Sequence, residues 1–277
     1  VDLDAAFNAG ALYWVEGQYV APDDALSGNG LNNASYVRVS VGAAPTLNVS
    51  LAGATVEAKS ALYAWKAQDP TVEIVNEDFC TSPVERFEVA RKVTPGVSSW
   101  HYEYAVRNMN SDHAGGAFTV HLPPGTPITN AYFHDIDSHS GEPYSTTDWT
   151  VAIDAKASSI RWATESFEEN NNANAVRWAT TYTFAFDAAA APDGGTHQVE
   201  LFEPVGEVTA QARDDVSICS GDSVQLGAPP VAGQTYLWAP GGQTTAQITV
   251  SPAVTTRYTL TVRNGCAEDQ DTVDVTV

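Results

Sequence analysis

Five ionisable side chains fall within nine residues: His134, Asp135, Asp137, His139 and Glu142. In an extended segment Asp135, Asp137 and His139 point to one side. Imidazole with carboxylates is a ligand set for Zn or Mn, and oxygen ligands alone suit Ca. The candidate cation site is therefore Asp135, Asp137, His139 and Glu142, holding a structural cation such as Ca. The spacing matches no metalloprotease signature of the H-E-x-x-H kind. The competing reading is an ordered turn following a strand at 128–133. Asp and His at strand ends bond backbone amides, Gly141 permits a positive φ, and Pro143 restricts the residue before it.

Other groupings admit two readings each. Glu16, Asp23, Asp24, Asn29, Asn32 and Asn33 form an oxygen-rich patch that suits either Ca or solvated turns. Asn170, Asn171, Asn172 and Asn174 would make side-chain-to-backbone turns, or recognise sugar hydroxyls. Trp65, Trp149 and Trp162 have polar neighbours and could serve as sugar platforms, although a buried Trp is the commoner case. There is no G-x-S-x-G elbow, P-loop or dinucleotide fingerprint. Of the three cysteines, Cys219 and Cys266 bracket a strand-rich stretch, which predicts a disulfide in an oxidising compartment and leaves Cys80 odd.

The elements that would carry these groups are strands. Trp100, Tyr102, Tyr104 and Val106 alternate with His101, Glu103, Ala105 and Arg107, the pattern of a half-buried strand. Residues 176–186 alternate in the same way. Further strands are expected at 12–20, 36–41, 47–51, 72–75, 87–93, 118–122, 128–133, 149–153 and 159–163. Turn signals such as Pro95-Gly96, Gly115-Gly116 and Pro123-Pro124-Gly125 separate them. Residues 60–67 are the one stretch that reads as a short helix. Many short strands with this punctuation predict an all-β protein, built as a sandwich or a barrel-like sheet pair.

A boundary falls near Glu203-Pro204-Val205-Gly206. All six histidines and six of the seven tryptophans precede it. This predicts a large β-sandwich-like domain at 1–207 and a small immunoglobulin-like β-sandwich at 208–277.

The 277 residues carry 34 acidic and 13 basic side chains, for a net charge of −21. Phosphate binding needs clustered Lys and Arg, so the charge argues against nucleic acid and against an anionic membrane surface. Charged residues make up only 17%, leaving the surface to Asn, Ser, Thr and Gly, while 43% hydrophobic content excludes a disordered chain. No apolar run approaches the ~20 residues of a membrane span. The four lysines and the Asn- and Thr-rich composition suit a protein exported by a bacterium. The start at Val1, without Met, reads as a processed or an internal one.

From Val208 onward the motifs C-x-G-D-S-V-x-L, Y-x-W-x-P, T-T-x-Y-T-L-T-V, N-G-C and T-V-x-V-T-V resemble the bacterial immunoglobulin-like and PKD-like modules of secreted proteins. Such modules act as spacers, adhesive stalks or attachment points, and the likeness implies fold rather than function. In the first domain, Y-W-V-E-G-Q-Y-V at 13–20, N-N-A-S-Y at 32–36, Y-E-Y-A-V-R-N-M-N-S-D at 102–112, F-H-D-I-D-S-H-S-G-E-P-Y at 133–144 and N-A-V-R-W at 174–178 carry a second resemblance. They are similar to a family of secreted proteins from environmental bacteria, planctomycetes among them, that has no assigned activity. That likeness implies export and a β-rich fold.

Three functions compete. The first is an exported, non-catalytic structural or adhesive protein of the cell surface or an extracellular assembly. Its partners would be other copies of itself or other surface proteins. The second is a carbohydrate-binding module of a larger secreted enzyme, with polysaccharide as partner. The third is a metal-dependent hydrolase using the 134–142 cluster. Tandem β domains, the acidic Lys-poor surface and the immunoglobulin-like end favour the first, so the expectation is a protein that is not an enzyme.

Overall fold

The computed structural model describes every residue except 1, 2, 5, 20, 22–26, 80, 82, 83, 140, 193, 194, 206, 207, 232 and 266. The chain divides into two all-β units. One comprises Val1–Asp78 and Glu85–Pro204, the other Phe79–Val84 and Val205–Val277. Among the described residues no helix is long and apolar enough to cross a membrane.

The first unit opens with an antiparallel sheet of β1 (Tyr13–Gln18), β2 (Ala34–Val41) and β3 (Val49–Leu51). A short helix, α1 (Leu62–Gln68), follows where a helix is expected. The remaining strands are β4 (Glu73–Phe79), β5 (Glu85–Pro95), β6 (Trp100–Asn108), β7 (Gly115–His121), β8 (Ile128–His134), β9 (Thr150–Asp154), β10 (Ser159–Ala163), β11 (Thr181–Ala188) and β12 (Thr196–Leu201). They form a five-stranded sheet, β4-β5-β6-β11-β8, and a four-stranded sheet, β12-β7-β10-β9.

The two sheets meet through aromatic rings. Tyr104 and Phe184, opposite one another on β6 and β11, reach Phe118 on β7 with centroids 5.3 and 4.8 Å away. Trp162 on β10 lies 5.2 Å from Phe184, and Tyr102 stacks on Phe186 at 4.8 Å. These rings are nearly or fully buried. Burying such side chains contributes roughly 1.5–3 kcal/mol each, so this layer is the main stabilising element of the unit. The outer face of the five-stranded sheet is covered over β5 and β6 by α1. There Leu62 and Val72 pack on Ala90 and Ala105, with Trp65 and Ile74 partly buried beside them.

Two expectations need correction. Residues 176–180 are not strand: Val176 makes one bridge to Gly115, a turn bonds Thr180 N–H to the Arg177 carbonyl, and Ala179 takes φ +61°. The apparent alternation there arises from a turn that brings Trp178 to the surface. Gly115-Gly116, which reads as a turn, begins β7. A Cβ on Gly116 would lie 2.9 Å from the Phe202 Cα, a backbone clash that glycine avoids, and one on Gly115 would crowd the Phe87 ring at 3.0 Å. Strand β12, which is not among the expected strands, alternates His197, Val199 and Leu201 with Thr196, Gln198 and Glu200 and buries Val199.

The second unit is the small immunoglobulin-like sandwich. Its strands are β13 (Val216–Ser217), β14 (Val224–Leu226), β15 (Thr235–Ala239), β16 (Ile248–Val250), β17 (Thr256–Asn264) and β18 (Ala267–Thr276). One sheet runs β13-β18-β17-β15, with β13 parallel to β18, and the other pairs β14 with β16. Fully buried Trp238 sits at the centre with Leu226, Leu260, Val262, Val273 and Val275. Its indole N–H donates to the Thr245 carbonyl at 3.0 Å, which removes the cost of burying that donor.

Candidate functional site

The 134–142 segment leads to a polar network centred on fully buried Asn174. The Asn174 amide NH2 donates to Asp135 Oδ2 and to the Thr147 carbonyl, the latter at 2.9 Å. Its Oδ1 accepts the Tyr182 hydroxyl at 2.5 Å and faces His139 Nε2 at 3.2 Å. Its backbone carbonyl accepts the Trp149 indole N–H. Carboxylate and carbonyl oxygens only accept, so Asp135 and Thr147 fix which way the amide points. Oδ1 must then be the atom facing His139, and the imidazole must carry its proton on Nε2. Burial, followed by the charge of Asp135, raises the Tyr182 phenol far above its ordinary value, keeping it a donor.

The four residues of the cation expectation are not brought together. Asp135 and buried His139 come together, but through Asn174, which occupies the Nε2 proton and one carboxylate oxygen. Asp137 and Glu142 are exposed and join neither. Among the described residues no three His, Cys, Asp or Glu side chains converge as metal ligands. What the segment builds is a turn: Glu142 N–H bonds the His139 carbonyl at 3.1 Å, and Gly141 takes φ +92°. Tyr144 packs edge-on against His139 and lies under the Arg177 guanidinium at 4.0 Å, which also covers Phe202.

The acidic patch dissolves in a similar way. Asp23 and Asp24 lie outside the described residues. Glu16 is paired with Arg107, whose side chain is 1% exposed, and also accepts the Ala61 N–H at the start of α1, at 2.6 Å. Arg107 further donates to Gln18 Oε1 at 3.0 Å. The asparagine run makes turns, with Asn172 N–H bonding Asn170 Oδ1 and Asn170 Nδ2 reaching Glu165. Trp149 and Trp162, 5% and 1% exposed, are core residues and not platforms. Trp65 is only partly buried.

Cys219 is an exposed free thiol, contrary to the expected bridge; Cys266 and Cys80 lie outside the described residues.

A hydroxyl, an imidazole and a carboxylate do meet at Ser111, His113 and Glu85. Glu85 stands between the other two, taking Ser111 Oγ at 2.5 Å and His113 Nδ1 at 2.7 Å. A nucleophilic relay needs the imidazole in the middle, so this is a carboxylate clamp on a turn.

The site that sequence reasoning missed is a trough of ≈ 540 Å³ on the outer face of the five-stranded sheet. Its floor is Ala105 on β6 with Thr183 and Ala185 on β11, Ala105 and Ala185 being 5% and 9% exposed. Trp65 of α1 forms one wall and Tyr132 of β8, 55% exposed, the other. Glu103 and His101 occupy one end. His101 Nδ1 is 2.7 Å from Asp187 Oδ1, and Asp187 Oδ2 accepts Asn130 Nδ2 at 2.6 Å. Those hydrogen bonds, from Asn130 first and then His101, hold the Asp187 carboxyl below its ordinary value. Asn130 adopts φ +53° where the β8–β11 register shifts, which turns its amide toward Asp187. Trp65 alone was visible as a candidate; its pairing with Tyr132 depends on strand order.

No family model and no curated protein matches the chain. Among solved structures, extracellular domains 3–5 of Drosophila OTK are 10% identical, covering 97% of this chain and 92% of that one, with a TM-score of 0.28. The adhesin domain of Epf from Streptococcus pyogenes is 10% identical over 96% and 92%, with a TM-score of 0.25. A chimeric titin Z1Z2–Z1Z2 tandem carrying a GRGDS peptide from fibronectin is 15% identical over 68% and 98%, with a TM-score of 0.20.

Proposed function

We propose that this is an exported, non-catalytic adhesive or structural protein of the cell surface or an extracellular assembly, and that it makes contact through the trough of its first unit. The observation that carries the reading is the trough: aromatic walls on a floor of small side chains, built on a sheet whose strands are paired on both sides of that floor. A preformed concave face with a few fixed polar groups is the usual form of a binding site. The chemistry-capable clusters support the same view. Asn174 fills the coordination needs of Asp135 and His139, and Glu85 separates Ser111 from His113. The immunoglobulin-like second unit suits a spacer or attachment role.

Surface labelling of intact producing cells, together with retention of protein-coated beads on those cells and their shed matrix, tests the reading. The expected result is a surface-associated protein whose beads are retained. A protein confined to the cytoplasm, beads that do not adhere, or turnover of ester, peptide or glycoside substrates by the purified chain would overturn it.

A further inference from the structure

The chemistry of the trough specifies an occupant more narrowly. Resting on the contact role just proposed, we infer that it binds a neutral saccharide, the sugar ring lying on Ala105, Thr183 and Ala185 between Trp65 and Tyr132.

The walls and the floor agree on an amphipathic ligand. A pyranose offers an apolar C–H face and a rim of hydroxyls. Trp65 and Tyr132 present ring surfaces for the first, and Ala105 and Ala185 leave space above the sheet. Strands β6 and β8 are two strand spacings apart, about 10 Å, with β11 between them. At one end stand groups that bond hydroxyls with directional geometry. Glu103 accepts, and His101 is orientated by Asp187, which Asn130 holds in turn. Such second-layer support keeps a binding group in place before the ligand arrives.

The charge selects among saccharides. Glu103 and Asp187 lie at the polar end, and the whole chain carries −21. A uronate or sulfated glycan would meet like charge, so the preferred ligand is uncharged. A peptide strand is a poor occupant. The floor strands β6 and β11 are hydrogen-bonded on both sides, leaving no free backbone donors for strand addition.

The test is titration calorimetry and intrinsic tryptophan fluorescence of the full chain with cellotetraose, maltotetraose, mannotetraose and galactotetraose. Tetragalacturonate and a sulfated disaccharide are the charged comparators. We expect at least one neutral probe to bind and the charged ones to bind more weakly or not at all. Tyr132→Ala, at a half-exposed position, should weaken binding about ten-fold, the loss of one good aromatic contact. Glu103→Gln should weaken it several-fold, and Val151→Ala, on β9 of the other sheet, should leave it unchanged. Trp65→Ala also removes packing under α1, so Tyr132→Ala is the deciding variant. Silence from every neutral probe, tighter binding of the charged comparators, or unchanged affinity in Tyr132→Ala would overturn the inference. Beads of Tyr132→Ala protein separate it from the contact role. If they adhere as before while sugar probes stay silent, the protein is adhesive without a sugar site. If sugar binds in the trough but no protein reaches the surface, the sugar site stands and the adhesive role falls.

Discussion

His139 and Asn174 face each other across 3.2 Å, imidazole Nε2 to amide Oδ1, and this contact decides what the acidic segment after β8 is for. Every hydrogen-bonding site of the Asn174 amide is used, two as donor and two as acceptor. A histidine committed in this way orders a loop.

Asn174→Ala should therefore destabilise the chain by about 2–4 kcal/mol, because it strands Asp135, the Thr147 carbonyl and His139 at once, while the Tyr182 hydroxyl keeps the Ala175 carbonyl at 2.9 Å. Exposed Asp137 should tolerate alanine within about 0.5 kcal/mol. Urea denaturation of both variants, with and without chelator, measures this. A chelator-sensitive midpoint in the parent, or a large cost at Asp137, would restore the cation reading.

Arg107 should prove more costly still. Its buried guanidinium bridges Glu16 and Gln18 of β1 to β6. Arg107→Ala leaves the Glu16 carboxylate without its charged partner, with only the Ala61 N–H, and should cost about 3–5 kcal/mol. Replacing both partners, Arg107→Met with Glu16→Leu, should recover much of that. A double variant as unstable as the single one would show that packing, not charge, holds this junction.

Cys219 should react with a maleimide in the folded, unreduced protein, since it is exposed and unbridged. Mass spectrometry of the labelled peptides reads the result. Cys219 recovered unlabelled and linked to a peptide containing Cys266 would overturn its assignment as a free thiol.

Acid should lower the thermal midpoint modestly below about pH 4, the carboxyls involved being mostly exposed. Asp69, lowered to about 2 by Thr71 and then Lys92, is joined by Asp78 beside Arg86, Asp187 beside Asn130 and His101, Glu200 beside Arg161, and Asp274 beside Arg257, all held low. Carboxyls with folded values below their unfolded ones add stability above about pH 4, and lose it as pH falls through the folded values. Glu77, raised by burial, works in the opposite direction but is one group against these five and the similarly lowered Asp154 and Glu169. A thermal midpoint unchanged between pH 5 and pH 2.5 would refute this balance.

The all-β fold was legible because period-two alternation reports which face is buried. Tyr102, Tyr104 and Val106 declared the inner face of β6 before any partner was known, and α1 and the strand-rich second unit were readable from local pattern. What stayed hidden were relations between distant residues. Glu16 reads as one more acid in a loop until it meets Arg107, 91 positions away. Asn174 reads as part of an asparagine run until Asp135, His139, Thr147 and Tyr182 close around it. The trough exists because β11 lies between β6 and β8 while α1 covers the β5–β6 side, which sets Trp65 and Tyr132 on opposite walls. Local sequence determines which face of a strand is apolar. Strand order and helix docking decide which polar and aromatic side chains share a space, and those follow from packing the whole chain.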